Sequence, residues 1–234
     1  MERLGRLISE WFRRVRAARA PVFSLPAASF VLILLALYAF AEIADGIGPN
    51  DDLHLFDRAV AQAVTLDPES GARMFFAAVT HFGDGPVLTL IGIAVGVKLL
   101  YGRAFIPLYA WVVAVAGTGL INNVLKHGFT RARPGDTPLL DTWSFPSGHA
   151  MNSLVTYGML VYVAWRIVPR RWRPALAGGA ATIVLAVGAS RVVLGYHWFT
   201  DVVGGWVAGL AWVTVCVTAC ELGLRKRNRG QVRK

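Results

Sequence analysis

In residues 144–164, SFPSGHAMNSLVTYGMLVYVA, a short polar stretch with a histidine opens a long apolar run. An apolar run of this length is typical of a helix that spans a membrane. The first N–H groups of a helix have no intrahelical partners and lie at the positive end of its dipole, so they can bind an anion. The stretch therefore predicts a membrane helix whose polar beginning, Ser147 to His149, forms part of an anion site.

The composition extends this prediction to the whole chain. Of its 234 residues, 55% are hydrophobic and only 16% are charged, whereas soluble domains carry about 25% charged residues. A span needs about 20 apolar residues. We therefore expect an all-α, polytopic membrane protein with a single domain over residues 1–234 and six transmembrane helices in a bundle. The predicted spans are 23–43, 84–101, 104–125, 147–168, 174–194 and 199–222.

The basic residues indicate the orientation of these spans. The net charge is +10, and 18 of the 24 Lys and Arg residues fall near the two termini and in the connections near 102 and 170. Six spans place these regions on one side, which the positive-inside rule assigns to the cytoplasm. The charge thus predicts cytoplasmic termini, with a basic tail at 225–234, and contact with anionic lipid headgroups at that face. It does not indicate a nucleic-acid partner.

Three further segments have simple interpretations. Apolar residues on one face of 1–20 predict an amphipathic interfacial helix; a signal peptide cleaved after Ala39-Phe40-Ala41 is the less favoured alternative. In the outer loop 44–72, the spacing of Phe56, Val60, Ala63 and Val64 predicts a short helix packed on the outer surface, with a helix that covers a site as the less favoured alternative. Cys216 and Cys220 are expected to be small buried side chains without a redox or metal role.

Chemically reactive side chains gather at the predicted outer ends of the spans. Because consecutive spans run in opposite directions, these ends lie at one face of the bundle. Arginine, lysine and a helix beginning suit a dianionic phosphate, and glycine allows the backbone to approach it. The residues are Lys126, Arg133, Ser147, Gly148, His149, Arg191, His197 and Asp201.

The two histidines add chemistry to this binding site. His197 and Asp201 are four residues apart at a helix beginning, so their side chains can meet. A carboxylate that holds one ring nitrogen leaves the other with a free lone pair, which makes His197 a nucleophile for phosphorus. His149, on another helix, can protonate the leaving oxygen and later deprotonate water. Ser147 is expected to cap its helix and present donors to phosphate.

The remaining polar residues are weaker candidates. Arg131 is expected to point to solvent, with a place in the phosphate site as the less favoured alternative. His81 and Asp84 are expected to be span-end residues, with substrate contact as the less favoured alternative. His54 and His127 are expected at the surface or in packing, and the pattern leaves the roles of three asparagines open: Asn122, Asn123 and Asn152.

Three motifs together resemble a known signature. They are KHGFTRARP (126–134), FPSGH (145–149) and SRVVLGYHWFTD (190–201), and they match the three-part phosphatase signature of the type 2 phosphatidic acid phosphatase (PAP2) superfamily. Six spans with this orientation are similar to its bacterial membrane branch. The resemblance implies that His149 is the acid and base, His197 the nucleophile and Asp201 its partner. It assigns phosphate binding to Lys126, Arg133, Ser147, Gly148 and Arg191.

The resemblance also implies an activity. We expect a metal-independent lipid phosphatase, without a cofactor, that forms a phosphohistidine at the periplasmic face of a bacterial inner membrane. Family substrates include phosphatidate, phosphatidylglycerol phosphate, polyprenyl pyrophosphate and lipid A phosphates. Alternatives are a lipid phosphotransferase, a non-catalytic lipid-phosphate binder or transporter, and, least favoured, a haloperoxidase. The sequence does not indicate the oligomeric state.

Overall fold

The computed structural model of the chain describes residues 24–48, 51–135 and 143–232, and these residues are mainly helical. Short 3-10 turns at His81–Gly83 and Arg170–Trp172 precede the fourth and seventh α-helices. The α-helices are α1 (Ser24–Asp45), α2 (Asp52–Val64), α3 (Gly71–Thr80), α4 (Gly85–Tyr101), α5 (Phe105–Phe129), α6 (Gly148–Ala164), α7 (Arg173–Val193) and α8 (Phe199–Val232).

Several of these helices are long and apolar enough to cross a membrane. Among the described residues, four segments meet this condition: Pro26–Asp45, Phe105–Phe129, Arg170–Val193 and Phe199–Gly230. The pair α3 and α4, bent by 40°, makes a fifth if it is one span. The predicted all-helical membrane fold is therefore confirmed. The count of six spans and the cytoplasmic termini stay predictions, since α6 has only 17 residues. The predicted amphipathic helix at 1–20 lies outside the described residues.

The core of the bundle lies between α5, α6 and α8. Trp111, Met159, Cys216 and Cys220 are buried there, and both cysteines are free, as expected. The indole of Trp111 donates a hydrogen bond to the carbonyl of Gly92, 3.0 Å away, which ties α5 to α4. Large apolar side chains on the outer helices remain exposed, such as Phe30 on α1 and Leu90 on α4. Such exposed apolar faces are expected of helices that contact lipid.

At one end of the bundle, a buried ion pair joins the segment just after α6 to α8. Glu221 accepts hydrogen bonds from Tyr162, at 2.7 Å, and from Arg166. A charged residue within a membrane bundle is costly unless it is paired. This cluster satisfies its own charges and fixes the packing of the two helices far along the chain from the predicted site.

At the other end, α8 packs directly on the beginning of α6. A Cβ atom on Gly205 would lie 2.6 Å from the carbonyl oxygen of Ser147, so only glycine permits this approach. One turn earlier on α8, the backbone carbonyl of Asp201 accepts a hydrogen bond of 2.9 Å from the N–H of Ser147. The helix contact therefore places Asp201 beside the start of α6.

Candidate active site

His197 lies in the tight turn between α7 and α8 and is only 3% exposed. Its Nδ1 is 3.3 Å from Oδ2 of Asp201, which also accepts a hydrogen bond from the N–H of Trp198 at 2.9 Å. A carboxylate accepts and does not donate, so Nδ1 carries the proton and Nε2 keeps a lone pair. That lone pair faces the Nη1 group of Arg133 at 3.2 Å.

The surroundings of His197 keep its ring neutral. Burial lowers the pKa of His197 to about 3, and the charges of Arg191 and Arg133 act in the same direction. The hydrogen bond and charge of Asp201 oppose this shift but do not overcome it. Near neutral pH the imidazole is therefore unprotonated at Nε2, which is the form that can attack an electrophile.

Arg131 corrects an expectation from the sequence. It was expected in solvent, yet it is only 8% exposed. Its Nη1 donates to Oδ1 of Asp201 at 2.7 Å and its Nη2 donates to Oδ2 of Asp57 at 2.7 Å. Thr200 joins the same cluster: its N–H donates to Oδ1 of Asp57 at 2.9 Å, and its hydroxyl accepts from Arg131 at 2.8 Å. The planar fork of Arg131 thus holds Asp201 on the side opposite His197.

The three predicted phosphate-binding cations come from three separate elements. Lys126, in the last turn of α5, donates to the carbonyl of Trp143. Arg133 donates to the carbonyl of Tyr196 at 2.6 Å. Arg191, near the end of α7, lies 4.5 Å over the ring of Tyr196. Arg133 and Arg191 both act electrostatically on Lys126, so the three charges form one cluster.

The start of α6 differs in part from expectation. Ser147 makes no capping hydrogen bond through its side chain, and its N–H is used by the carbonyl of Asp201. Its hydroxyl is buried and has no partner within the described part of the chain. Beside Gly148, the side chain of Asn122 donates to the carbonyl of Pro146 at 3.3 Å, so Asn122 has a helix contact. The amide of Ser147 is therefore not a phosphate donor in this arrangement.

His149 has a carboxylate partner that lies outside the sequence motifs. Its Nε2 is 2.7 Å from Oδ1 of Asp84, the residue before α4. The other oxygen of Asp84 is 2.6 Å from Nδ1 of His81. From the sequence, His81 and Asp84 were expected to be span-end residues, with substrate contact as the less favoured alternative; the three-residue spacing of this His and Asp was the available signal.

The structure brings the predicted residues to one end of the bundle. The charges of Arg191 and Arg133 act on His149 as well as on His197, so both histidines border the same cationic cluster. His54 packs against the ring of Trp198, and His127 stays exposed at the end of α5. Fold and site together define a class: a helical membrane protein with two carboxylate-held histidines beside clustered cations, suited to chemistry on a phosphate group.

Comparisons with known proteins identify the family. The family model of the PAP2 superfamily matches residues 107–221. Phosphatidylglycerophosphatase B of Bacillus subtilis (strain 168) is 30% identical over 180 residues, which cover 75% of this chain and 89% of that protein. The chain therefore belongs to the PAP2 superfamily. The expected class of enzyme, a metal-independent phosphatase, follows from this membership.

A solved structure supports the same assignment. The crystal structure described as the first transmembrane PAP2 type phosphatidylglycerolphosphate phosphatase from Bacillus subtilis superposes with a TM-score of 0.69 at 28% sequence identity. The match covers 79% of this chain and 93% of that chain. Asp57 and Asp84, the two carboxylates that the motifs do not include, lie before the residues that the family model matches.

Proposed function

We propose that the chain removes a phosphate from a membrane lipid through a phosphohistidine formed on His197. One observation carries the proposal: a buried, neutral imidazole has Nδ1 held by Asp201 and Nε2 directed at Arg133. A binding protein would need the cations but not a nitrogen nucleophile with a fixed tautomer.

The first half of the reaction forms the covalent intermediate. Nε2 of His197 attacks phosphorus while the bond from phosphorus to the lipid oxygen breaks. His149 supplies the proton that the leaving oxygen needs, and Asp201 stabilises the positive charge on His197. Arg133 now donates toward Nε2; a phosphate that accepts this N–H instead would free the lone pair for attack. Lys126 and Arg191 stabilise charge on the phosphate oxygens.

The second half regenerates the enzyme. A water molecule attacks phosphorus, the bond from phosphorus to Nε2 breaks, and His149 takes the proton of the water. Inorganic phosphate leaves, and His149 is again protonated for the next lipid. No metal ion or cofactor enters this sequence.

The substrate class is a lipid with a terminal phosphate monoester or pyrophosphate. The Bacillus subtilis relatives are named for phosphatidylglycerophosphate, so this lipid is the first to test, with phosphatidate and polyprenyl pyrophosphate beside it. Because the site lies at one end of apolar helices, the phosphate would reach it while the lipid chains stay in the bilayer.

The proposed location is the periplasmic face of a bacterial inner membrane. The support is the distribution of basic residues, which by the positive-inside rule favours cytoplasmic termini and a cytoplasmic tail. The site is at the opposite ends of α5, α6, α7 and α8. This orientation would make the phosphatase act on lipids of the outer leaflet.

The test uses the full chain purified in detergent with a chelator. Phosphatidylglycerol phosphate, phosphatidate and undecaprenyl pyrophosphate are offered separately, and phosphate release is measured. We expect release that persists with the chelator and is abolished by His197→Ala. The matched control is His127→Ala, since His127 is an exposed histidine at the end of α5. Binding without release would favour a binder or transporter, and phosphate transfer to a second lipid would favour a phosphotransferase.

A further inference from the structure

The connection between α3 and α4 is built into the site although no motif contains it. This elbow, residues Thr80–Asp84, includes the 3-10 turn His81–Gly83 and is held by two neighbouring helices. Thr80 accepts a hydrogen bond of 2.9 Å from Nη1 of Arg191 on α7. The hydroxyl of Tyr157 on α6 donates to the carbonyl of Phe82 at 2.9 Å. These bonds fix the elbow against the helices that carry His149 and Arg191.

Packing at Gly83 makes the contact with His149 close. A Cβ atom on Gly83 would lie 2.5 Å from a methyl group of Val187 and 3.1 Å from Cδ2 of His149. There is no space for a side chain at this position. The elbow backbone therefore presses against the His149 ring, and the next residue, Asp84, faces the nitrogen on that edge.

Asp84 joins two histidines into a chain that leads to solvent. Its two oxygens are 2.7 Å from Nε2 of His149 and 2.6 Å from Nδ1 of His81. The exposed fraction of the side chain is 25% for His149, 31% for Asp84 and 68% for His81. The carboxylate thus stands between a half-buried imidazole at the site and an imidazole in contact with water.

We propose that Asp84 is the positioning residue of His149 in the lipid phosphatase reaction, with His81 holding the carboxylate and linking it to solvent. This inference rests on the proposed function. Nε2–H of His149 donates a hydrogen bond to Asp84, so Nδ1 is the nitrogen that exchanges a proton with the lipid oxygen and with water. The carboxylate also stabilises the imidazolium that must exist before the lipid leaves.

The charges around His149 explain why it needs this partner. Burial of the ring opposes a positive charge on His149 most strongly, Arg191 and Arg133 oppose it as well, and Asp84 is the carboxylate that favours it. Without Asp84, His149 would face two guanidinium groups and lose its proton more readily. The proton itself is recycled: it passes from Nδ1 to the lipid oxygen when the P–O bond breaks, and it returns from water when the P–N bond breaks.

The test compares leaving groups in Asp84→Asn. A lipid alkoxide needs protonation to leave, whereas p-nitrophenolate leaves without it. With phosphatidate, the lipid oxygen leaves only when His149 protonates it, so we expect kcat to fall about 10- to 100-fold. The pre-steady-state burst of p-nitrophenolate from p-nitrophenyl phosphate should change less than about threefold. The alkaline limb of the phosphatidate profile should also move to lower pH, because the imidazolium has lost its carboxylate.

Two controls make the outcome decisive. Asp52→Asn removes the same charge from an exposed position in the first turn of α2 and should leave both rates unchanged. Equal losses with both leaving groups, or a loss no larger than in Asp52→Asn, would overturn the role of Asp84. If Asp84→Asn does not elute as a folded protein, the same comparison is made with Asp84→Glu. This variant keeps the carboxylate, so we expect part of the wild-type rate with phosphatidate and an alkaline limb at the wild-type pH. Absence of phosphate release by the wild-type enzyme would instead refute the proposed function.

Discussion

The site contains two histidine–carboxylate pairs that are arranged in opposite ways. Asp201 lies against Nδ1 of His197 at 3.3 Å, whereas Asp84 lies against Nε2 of His149 at 2.7 Å. The first pair is buried, with Asp201 fully inaccessible; the second is partly open to solvent and continues to His81. A buried pair suits a nucleophile that stays neutral until it reacts, and a half-exposed pair suits a group that gains and loses a proton in each cycle.

The largest expected effect comes from breaking the buried pair. Asp201→Asn replaces the carboxylate by an amide that can donate to Nδ1 and thus favours the wrong tautomer of His197. By analogy with such a change in a serine protease triad, kcat should fall about 10³- to 10⁴-fold. Phosphate release from the preferred lipid measures the loss. A fall below about tenfold would mean that His197 does not depend on its carboxylate.

The second prediction assigns the acid limb of the pH profile to the same pair. The pKa of His197 is lowered to about 3, so its neutral form persists as pH falls and is lost only below about pH 4. At about pH 4.5 a histidine with an ordinary pKa would be about 99% protonated, whereas His197 stays mostly neutral. At that pH, kcat/KM should therefore be about 100-fold higher than it would be if His197 had an ordinary pKa. Measurement requires correction for the titration of the substrate phosphate.

Low pH also destabilises the folded protein, and the assay must distinguish this loss of stability from the titration of His197. Between about pH 6.5 and 3 the unfolded chain binds a proton at residue 197 that the folded chain does not, so the free energy of unfolding decreases as pH falls through this window. Recovery of full activity after return to neutral pH distinguishes titration from unfolding. An acid limb centred near pH 6.5, with full recovery, would contradict the neutral buried imidazole.

The sequence predicted most of the helices because bilayer thickness sets their length. The expected spans 104–125 and 174–194 correspond to α5 and α7 within a few residues. The second span begins at Gly85, and the apolar segment before it forms a separate helix, α3, at an angle of 40°. The bend itself, Thr80 to Pro86, carries His, Asp, Gly and Pro residues that indicate a break in the helix, but they do not indicate the angle between the two helices.

The sequence located the buried pair but not the partners of either pair. His197 and Asp201 are one turn apart, so local spacing showed their contact. Asp57 and Asp84 reach the site from segments far along the chain, and an acidic residue in an outer loop resembles any solvated one. The short helix expected in the loop 44–72 is present as α2, but its apolar spacing did not show which residues are buried: Phe56 is 49% exposed, while Asp57 is fully buried against Arg131. Tertiary contacts, which local spacing does not show, determine the positions of both Asp57 and Asp84.

The third prediction concerns the support behind Asp201. Arg131→Lys keeps the charge but loses the planar fork that bridges Asp57 and Asp201, so we expect kcat to fall about tenfold. The control is Arg58→Lys, at an exposed position on α2. Arg131→Leu removes the charge between two buried carboxylates and should lower the free energy of unfolding by about 3–5 kcal/mol. Unchanged thermal unfolding of Arg131→Leu in detergent would show that the carboxylates are satisfied without it.

The smallest effect is expected where the elbow meets the cationic cluster. Thr80→Val keeps the shape of the side chain but removes the hydroxyl that accepts from Arg191. Loss of a hydrogen bond to a charged group costs about 1.5 kcal/mol or more, and the cost is smaller where a water molecule replaces the lost partner of the guanidinium group. Because Arg191 would still bind phosphate but with less fixed geometry, KM for the lipid should rise about three- to fivefold with little change in kcat. Thr214→Val, which removes a helix-internal hydroxyl bond on α8, is the control. A fall in kcat with unchanged KM would contradict this role, because it would show that the hydroxyl of Thr80 acts on the chemical step and not on substrate binding.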